Sequence, residues 1–119
     1  MHNLKELKIW QKSIELTTSV YQATANYPLD ERFGLTNQCR REAVSIASNI
    51  AEGAGRNSNK DFCYFLAIAN GSSYELQTQL IIGNKLEMLN AEVLEYLLGQ
   101  IDELQKMNYT FQKKLETNK

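Results

Sequence analysis

Apolar residues recur every three or four positions along nearly the whole chain, with no run of strand-like alternation, so the pattern predicts helices throughout. The first is expected over 4–26, where Leu7, Trp10, Ile14, Tyr21 and Ala25, flanked by Ile9, Leu16 and Val20, make a broad apolar face. Pro28 closes it, because proline restricts the residue before it and cannot continue the hydrogen-bond ladder. Tyr27-Pro28-Leu29-Asp30 is then a connection, with Asp30 or Thr36 capping a second helix that reaches about residue 54. A third helix is expected over 58–88 and a fourth over 90–115, with Glu92 near the positive end of the last helix's dipole.

The stretch from Ser45 to Ser58 predicts the hinge of a helical hairpin. Ala43, Ile46, Ile50 and Ala54 repeat on one face, and Ser45, Asn49, Glu52 and Arg56 on a second. Gly53-Ala54-Gly55 is the stop signal, since glycine takes the left-handed conformation of a helix C-cap without a Cβ penalty. Ser58, with Asp61 three residues on, resembles a capping box that launches the third helix. Gly71 and Gly83 each cost that helix about 1 kcal/mol relative to alanine, and are expected to permit close helix approach. A kink near Gly71 is the alternative.

The fourth helix has the sharpest periodicity: Leu97, Ile101, Leu104, Asn108, Phe111 and Leu115 alternate four and three residues, as heptad core positions do. Asn108 has two readings, a polar member of the seam that sets register or association, or a solvated residue near a helix end. Short connections between long helices predict an all-α fold, an antiparallel up-down-up-down four-helix bundle in one domain spanning residues 1–119.

With 43% hydrophobic residues in 119, the chain has enough apolar surface for one continuous core. Thirteen Lys and Arg against 14 Asp and Glu give a net charge of -1, which provides no general field for a polyanion and leaves only a local basic patch. No apolar run approaches the ~20 residues of a membrane span, and the first six residues have no signal-peptide core, so a cytoplasmic location without membrane contact is expected. Cys39 and Cys63 lack metal-ligand spacing and read as free core thiols, with a disulfide as the alternative. The single histidine, His2, lies on a terminus expected to be mobile, so neither a Ser-His dyad nor the Glu-x-x-His pair of a di-iron bundle can be assembled. No enzyme activity, metal or cofactor is therefore expected.

Three groups of residues are candidates for more than packing. Arg40, Arg41, Asn49, Glu52 and Glu75 are expected to form a polar network between the second and third helices, with Glu75 facing Arg40 or Arg41. Arg56, Ser58 and Lys60, beside Gly53 and Gly55, combine helix-start amides with two cations that could hold an anion; plain helix capping is the competing reading. Lys5, Lys8 and Lys12 could extend this into a basic surface for nucleic acid, or be ordinary solvated charges. Trp10, Tyr21, Tyr27, Phe62, Phe65 and Phe111 are assigned to the core, with Tyr64 and Tyr74 more exposed.

Arg40-Arg41-Glu42-Ala43-Val44-Ser45-Ile46, Asn49-Ile50-Ala51-Glu52-Gly53, Gly55-Arg56 with Ser58, and Gly71-Ser72-Ser73-Tyr74-Glu75-Leu76-Gln77-Thr78-Gln79-Leu80 resemble, in order and spacing, the 23S rRNA-intervening sequence proteins. Leu7 with Trp10 and Gln11, and Phe33-Gly34-Leu35-Thr36, extend the likeness over nearly the whole chain, with departures at Ala47 and Ala54. The resemblance implies a four-helix bundle that forms a ring-like homo-oligomer, a pentamer, similar to the accessory protein of diversity-generating retroelements. It implies a non-enzymatic, self-assembling binding or scaffold protein that contacts RNA, DNA or a nucleic-acid-processing partner. The alternative is a structural or protein-only interaction module.

Overall fold

The computed structural model describes residues 2–117. Helices α1 (Lys8–Thr24), α2 (Leu35–Ala54), α3 (Asn59–Lys85) and α4 (Ala91–Thr117) follow one another through short connections, with single 3-10 turns at Leu4–Glu6 and Leu29–Glu31. Two helix starts are capped by side chains, at Ser58 as expected and at Asn90, where the fourth helix was expected to begin. Ser58 Oγ accepts from the Asp61 amide at 3.1 Å, and Asn90 Oδ1 accepts from the Val93 amide at 2.8 Å.

The start of α2 differs. Neither Asp30 nor Thr36 caps it: Gly34 holds the N-cap position, and Glu31 Oε1 accepts from the Leu35 amide at 3.0 Å. The 3-10 turn at Leu29–Glu31 brings Glu31 rather than Asp30 within reach, while Thr36 already lies inside the helix and is buried. The hinge also differs in mechanism. No glycine among the described residues has a positive φ, and α2 runs through Gly53 to a right-handed Gly55 at φ -83° and ψ -4°. Gly53 is needed for its size instead: a Cβ there would lie 2.7 Å from Phe62 Cδ1 and 3.0 Å from Phe65 Cβ. The left-handed conformation appears after α3, at Glu87 with φ 63°.

Helix α1 buries Ile9, Ser13, Leu16, Val20 and Thr24, whereas Ile14 and Tyr21, expected on the core face, are 41% and 43% exposed. Two hydroxyls take their places because they satisfy themselves locally. Ser13 Oγ donates to the Trp10 carbonyl at 2.6 Å, and Thr24 Oγ1 to the Val20 carbonyl at 2.8 Å, so neither is buried unpaired.

The four helices close around one core that includes Leu16, Val20, Ile46, Ile50, Phe62, Leu66, Leu76, Leu80, Leu97 and Ile101. Cross-helix pairs run in opposite senses along the chain. Gly53 meets Phe62 and Gly83 meets Leu35 on the α2–α3 seam; Lys12 pairs with Glu103, and Leu7 and Met107 line one groove, on the α1–α4 seam. Asn108 belongs to the interior: it is 4% exposed, donates to the Leu66 carbonyl at 2.9 Å and accepts from Gln112 Nε2 at 2.6 Å. That bond ties α4 to α3 at one register.

The two interior glycines of α3 part company. A Cβ at Gly83 would lie 2.5 Å from the hydroxyl of Tyr27, so the close neighbour is a side chain of the α1–α2 connection rather than the packed helix that was expected. At Gly71 nothing stands within 4 Å, so no contact inside this chain requires a glycine. Cys39 is a buried free thiol, pushed up to about 11 by desolvation, and Cys63 is free as well.

Candidate binding surfaces

The five residues expected to form one network between α2 and α3 are split among four places. Arg40 faces α1: its Nε donates to Thr24 Oγ1 at 2.9 Å, its Nη2 to the Tyr21 carbonyl at 3.3 Å, and its guanidinium lies 4.6 Å from the Tyr21 ring centroid. It therefore carries its positive charge to the C-terminal end of α1, where the helix dipole favours a cation. Arg41 is exposed. Glu52 pairs with Arg56 one turn on, at 2.9 Å, on the surface. Asn49 Nδ2 donates to the Ser45 carbonyl at 2.9 Å and to Ser45 Oγ at 3.1 Å, and Ser45 Oγ lies 3.0 Å from Ser72 Oγ.

Glu75 does not face an arginine. Its neighbour across the seam is Glu42, whose carboxyl is raised above the ordinary glutamate value by desolvation first and then by the charge of Glu75. Ser72 and Arg41 act in the opposite direction. The geometry that defeats the arginine pairing is helical phase. Each residue advances about 100° around an α-helix, so with Glu42 turned to α3, Arg40 two positions earlier points to the far side, at α1. The polar strip on the α2–α3 seam is thus Glu42, Ser45, Asn49, Ser72 and Glu75. Glu42, Ser45 and Ser72 were absent from the expected set, although the spacing Glu42, Ser45, Asn49 on one helix and Ser72, Glu75 on the next is the signal that could have grouped them.

At the hinge, Ser58 Oγ is committed to the Asp61 amide and Arg56 to Glu52, with the Arg56 guanidinium 4.8 Å from the Phe65 ring centroid. Lys60 is exposed in the first turn of α3. The arrangement is that of a capped helix with one neutralised cation, which is the competing reading of this segment.

The termini of α1 and α4 add to the same end of the bundle. Asn59 Nδ2 donates to the Leu115 carbonyl at 3.2 Å, Cys63 Sγ to the Gln112 carbonyl at 3.7 Å, and the His2 ring stands edge-on to Phe62 and Phe111 at 4.9 and 6.0 Å between centroids. His2 is therefore packed, against the expectation of a mobile terminus. These contacts bring Lys8, Lys60, Lys113 and Lys114 to one end of the molecule from three separate stretches of chain, where four lysines stand beside the carboxylates of Asp61 and Glu116.

Between α1 and α4 lies a groove of about 470 Å³, floored by Leu7, Ile9, Met107 and Phe111 and rimmed by Lys8, Glu103, Lys106, Thr110 and Lys114. Lys12, on the edge of the same seam, pairs with Glu103 at 3.0 Å, and that hydrogen bond and charge raise its pKa. Lys106 pairs with Asp102 at 3.0 Å. The groove was not expected: the sequence marks Lys8 and Lys12 as a pair on α1, and only the closure of α1 on α4 sets Lys8 beside Lys106 and Lys114. Among the described residues no group of three or more His, Cys, Asp or Glu is placed to hold a metal, and no helix is long and apolar enough to cross a membrane.

The model of the 23S rRNA-intervening sequence proteins matches residues 5–110. A crystal structure of a protein of unknown function from the S23 ribosomal protein family of Bacteroides thetaiotaomicron superposes with a TM-score of 0.79 at 25% identity, over 88% of this chain and 98% of that one. No curated protein matches the sequence. With the match extending through all four helices and a solved relative of the same bundle architecture, this chain belongs to the 23S rRNA-intervening sequence protein family.

Proposed function

We propose that the protein is a non-enzymatic, self-assembling scaffold whose basic end contacts RNA or DNA. The observation that carries the nucleic-acid part is the gathering of Lys8, Lys60, Lys113 and Lys114 at one end of a chain whose net charge is -1. A polyanion responds to that local field rather than to the total charge. Self-assembly into a ring, a pentamer on the family resemblance, would repeat the patch in every subunit and multiply weak contacts.

Fluorescence anisotropy with labelled fragments of large-subunit ribosomal RNA tests this reading. Binding is expected at low salt, weakening linearly on a log-log plot as salt rises, and weakening further in Lys60→Glu and Lys114→Glu. Absence of binding at low salt overturns the nucleic-acid contact.

A protein-only assembly is the second reading, and one observation favours it. Lys12, Arg56 and Lys106 each already hold a carboxylate at 3.0, 2.9 and 3.0 Å, which dilutes the cationic surface. Under that reading light scattering shows an oligomer while the anisotropy stays flat.

A further inference from the structure

Helix α3 carries two heptad stripes. Phe62, Leu66, Ala69, Ser73, Leu76 and Leu80 step by four and three residues and are buried in the core. Displaced by two residues, Tyr64, Ile68, Gly71, Glu75, Thr78 and Ile82 repeat the same steps and face solvent, with Tyr64 63%, Ile68 37% and Ile82 43% exposed. A helix apolar on two sides is the pattern of one packed on two sides, and a second four-three stripe is what a second helical neighbour needs.

Gly71 sits in the middle of the outward stripe with open space before it. Mid-helix glycine lowers helix stability by about 1 kcal/mol relative to alanine, and nothing in this chain occupies the room that it leaves. Room for a close backbone approach by another molecule is the use that remains. Glu75, on the same stripe and beside Glu42, gives the face two neighbouring carboxyls against the one cation of Arg41, so covering it favours positive charge from the partner. The α1–α4 groove has the complementary character: an apolar floor of Leu7, Ile9, Met107 and Phe111 between Lys8 and Lys114, across the bundle from the α2–α3 seam on which Glu75 lies.

We propose that the outward stripe of α3, centred on Gly71, docks into the α1–α4 groove of a second copy of this chain. The inference rests on the self-assembly reading above and names its surfaces. Because the two surfaces differ and lie on opposite sides of the bundle, the contact is heterologous and propagates from copy to copy, closing into a ring where the rotation permits. Pairing of α3 with α3 across a two-fold axis would bring the Glu42 and Glu75 carboxyls of both copies together, four carboxyls against two Arg41 side chains, which disfavours it.

Two single substitutions at exposed helix positions separate the surfaces. Gly71→Trp blocks the stripe and Thr110→Trp, on the groove rim, blocks the groove, each leaving the other surface intact. Measured by sedimentation velocity, the wild-type chain is expected to be an oligomer and each variant a monomer. An equimolar mixture of the two variants is expected to form a one-to-one dimer, since each supplies the surface that the other lacks. Thermal unfolding reports whether each variant is folded, and Tyr64→Glu replaces Gly71→Trp if that chain is not. Wild-type mass retained by Thr110→Trp overturns the groove as partner, and wild-type mass retained by Gly71→Trp overturns the stripe, both leaving self-assembly standing. Monomeric variants that fail to pair on mixing overturn the heterologous contact. A monomeric wild-type chain overturns this contact and the self-assembly reading together.

Discussion

Gly53 and Gly71 are the same residue in two helices of one hairpin, and they do opposite things. At Gly53 the chain itself fills the space: Phe62 and Phe65 press within 3.0 Å of where a Cβ would be, and the Phe62 carbonyl lies at 3.2 Å. At Gly71 that space is empty. Around Gly53 the polar groups are also settled internally, with Ser58 capping α3 and Arg56 paired to Glu52, while beside Gly71 two carboxyls, Glu42 and Glu75, share the seam with the single charge of Arg41. The hinge is complete within one chain. The middle of α3 is built for something outside it.

The largest effect is expected where the contrast is sharpest. Gly53→Ala forces a methyl into Phe62 and Phe65, neither of which can yield without moving a helix, and should destabilise by about 1–3 kcal/mol, as overpacking does. Chemical denaturation of the dilute protein measures it. An unchanged midpoint would mean that the two helices separate easily, and the comparison between the glycines would fail. Ser58→Ala is expected to be next in size, about 1 kcal/mol, because the Asp61 amide loses its acceptor. Replacement by threonine or aspartate should restore most of the loss in the same assay.

At Gly71 the sign reverses. Gly71→Ala should stabilise the isolated chain by up to ~1 kcal/mol, since a helix-favouring methyl enters empty space. Denaturation at concentrations low enough to keep the chain monomeric is the check. Destabilisation there would reveal a neighbour that the space before Gly71 does not show.

These contrasts also mark how far the sequence could be read. Caps at Ser58 and Asn90 and the heptads of α4 were legible because each depends on residues within a few positions of one another. What Gly53 does was not, since a stop signal and a packing gap use the same residue, and the difference lies in Phe62 on the next helix. Arg40 and Arg41 were grouped with Glu75 by helical spacing and the need to pair charge. Helical phase instead sends Arg40 to the carbonyl of Tyr21 and leaves Glu75 with Glu42. The groove was unreadable for the same reason: Leu7 and Met107 are 100 residues apart in the chain and meet only when α1 closes on α4.

The smallest expected effect concerns the carboxyl pair beside Gly71. Glu42 in the folded chain releases its proton at higher pH than an ordinary glutamate, because burial and the Glu75 charge both oppose ionisation. Between the ordinary value and the raised one, the folded state therefore holds a proton that the unfolded state has lost, and stability falls as pH rises through that window. Glu75→Gln removes the second cause and keeps the first, so the Glu42 midpoint should move down without reaching the ordinary value, and the fall in stability with pH should become shallower. Carboxyl-carbon NMR titration of Glu42 follows the midpoint directly. A midpoint that stays in place on neutralising Glu75 would show that burial alone raises it, and the seam beside Gly71 would then be as settled within the chain as the hinge is. A midpoint that falls identifies the charge that a cation from a second copy would answer.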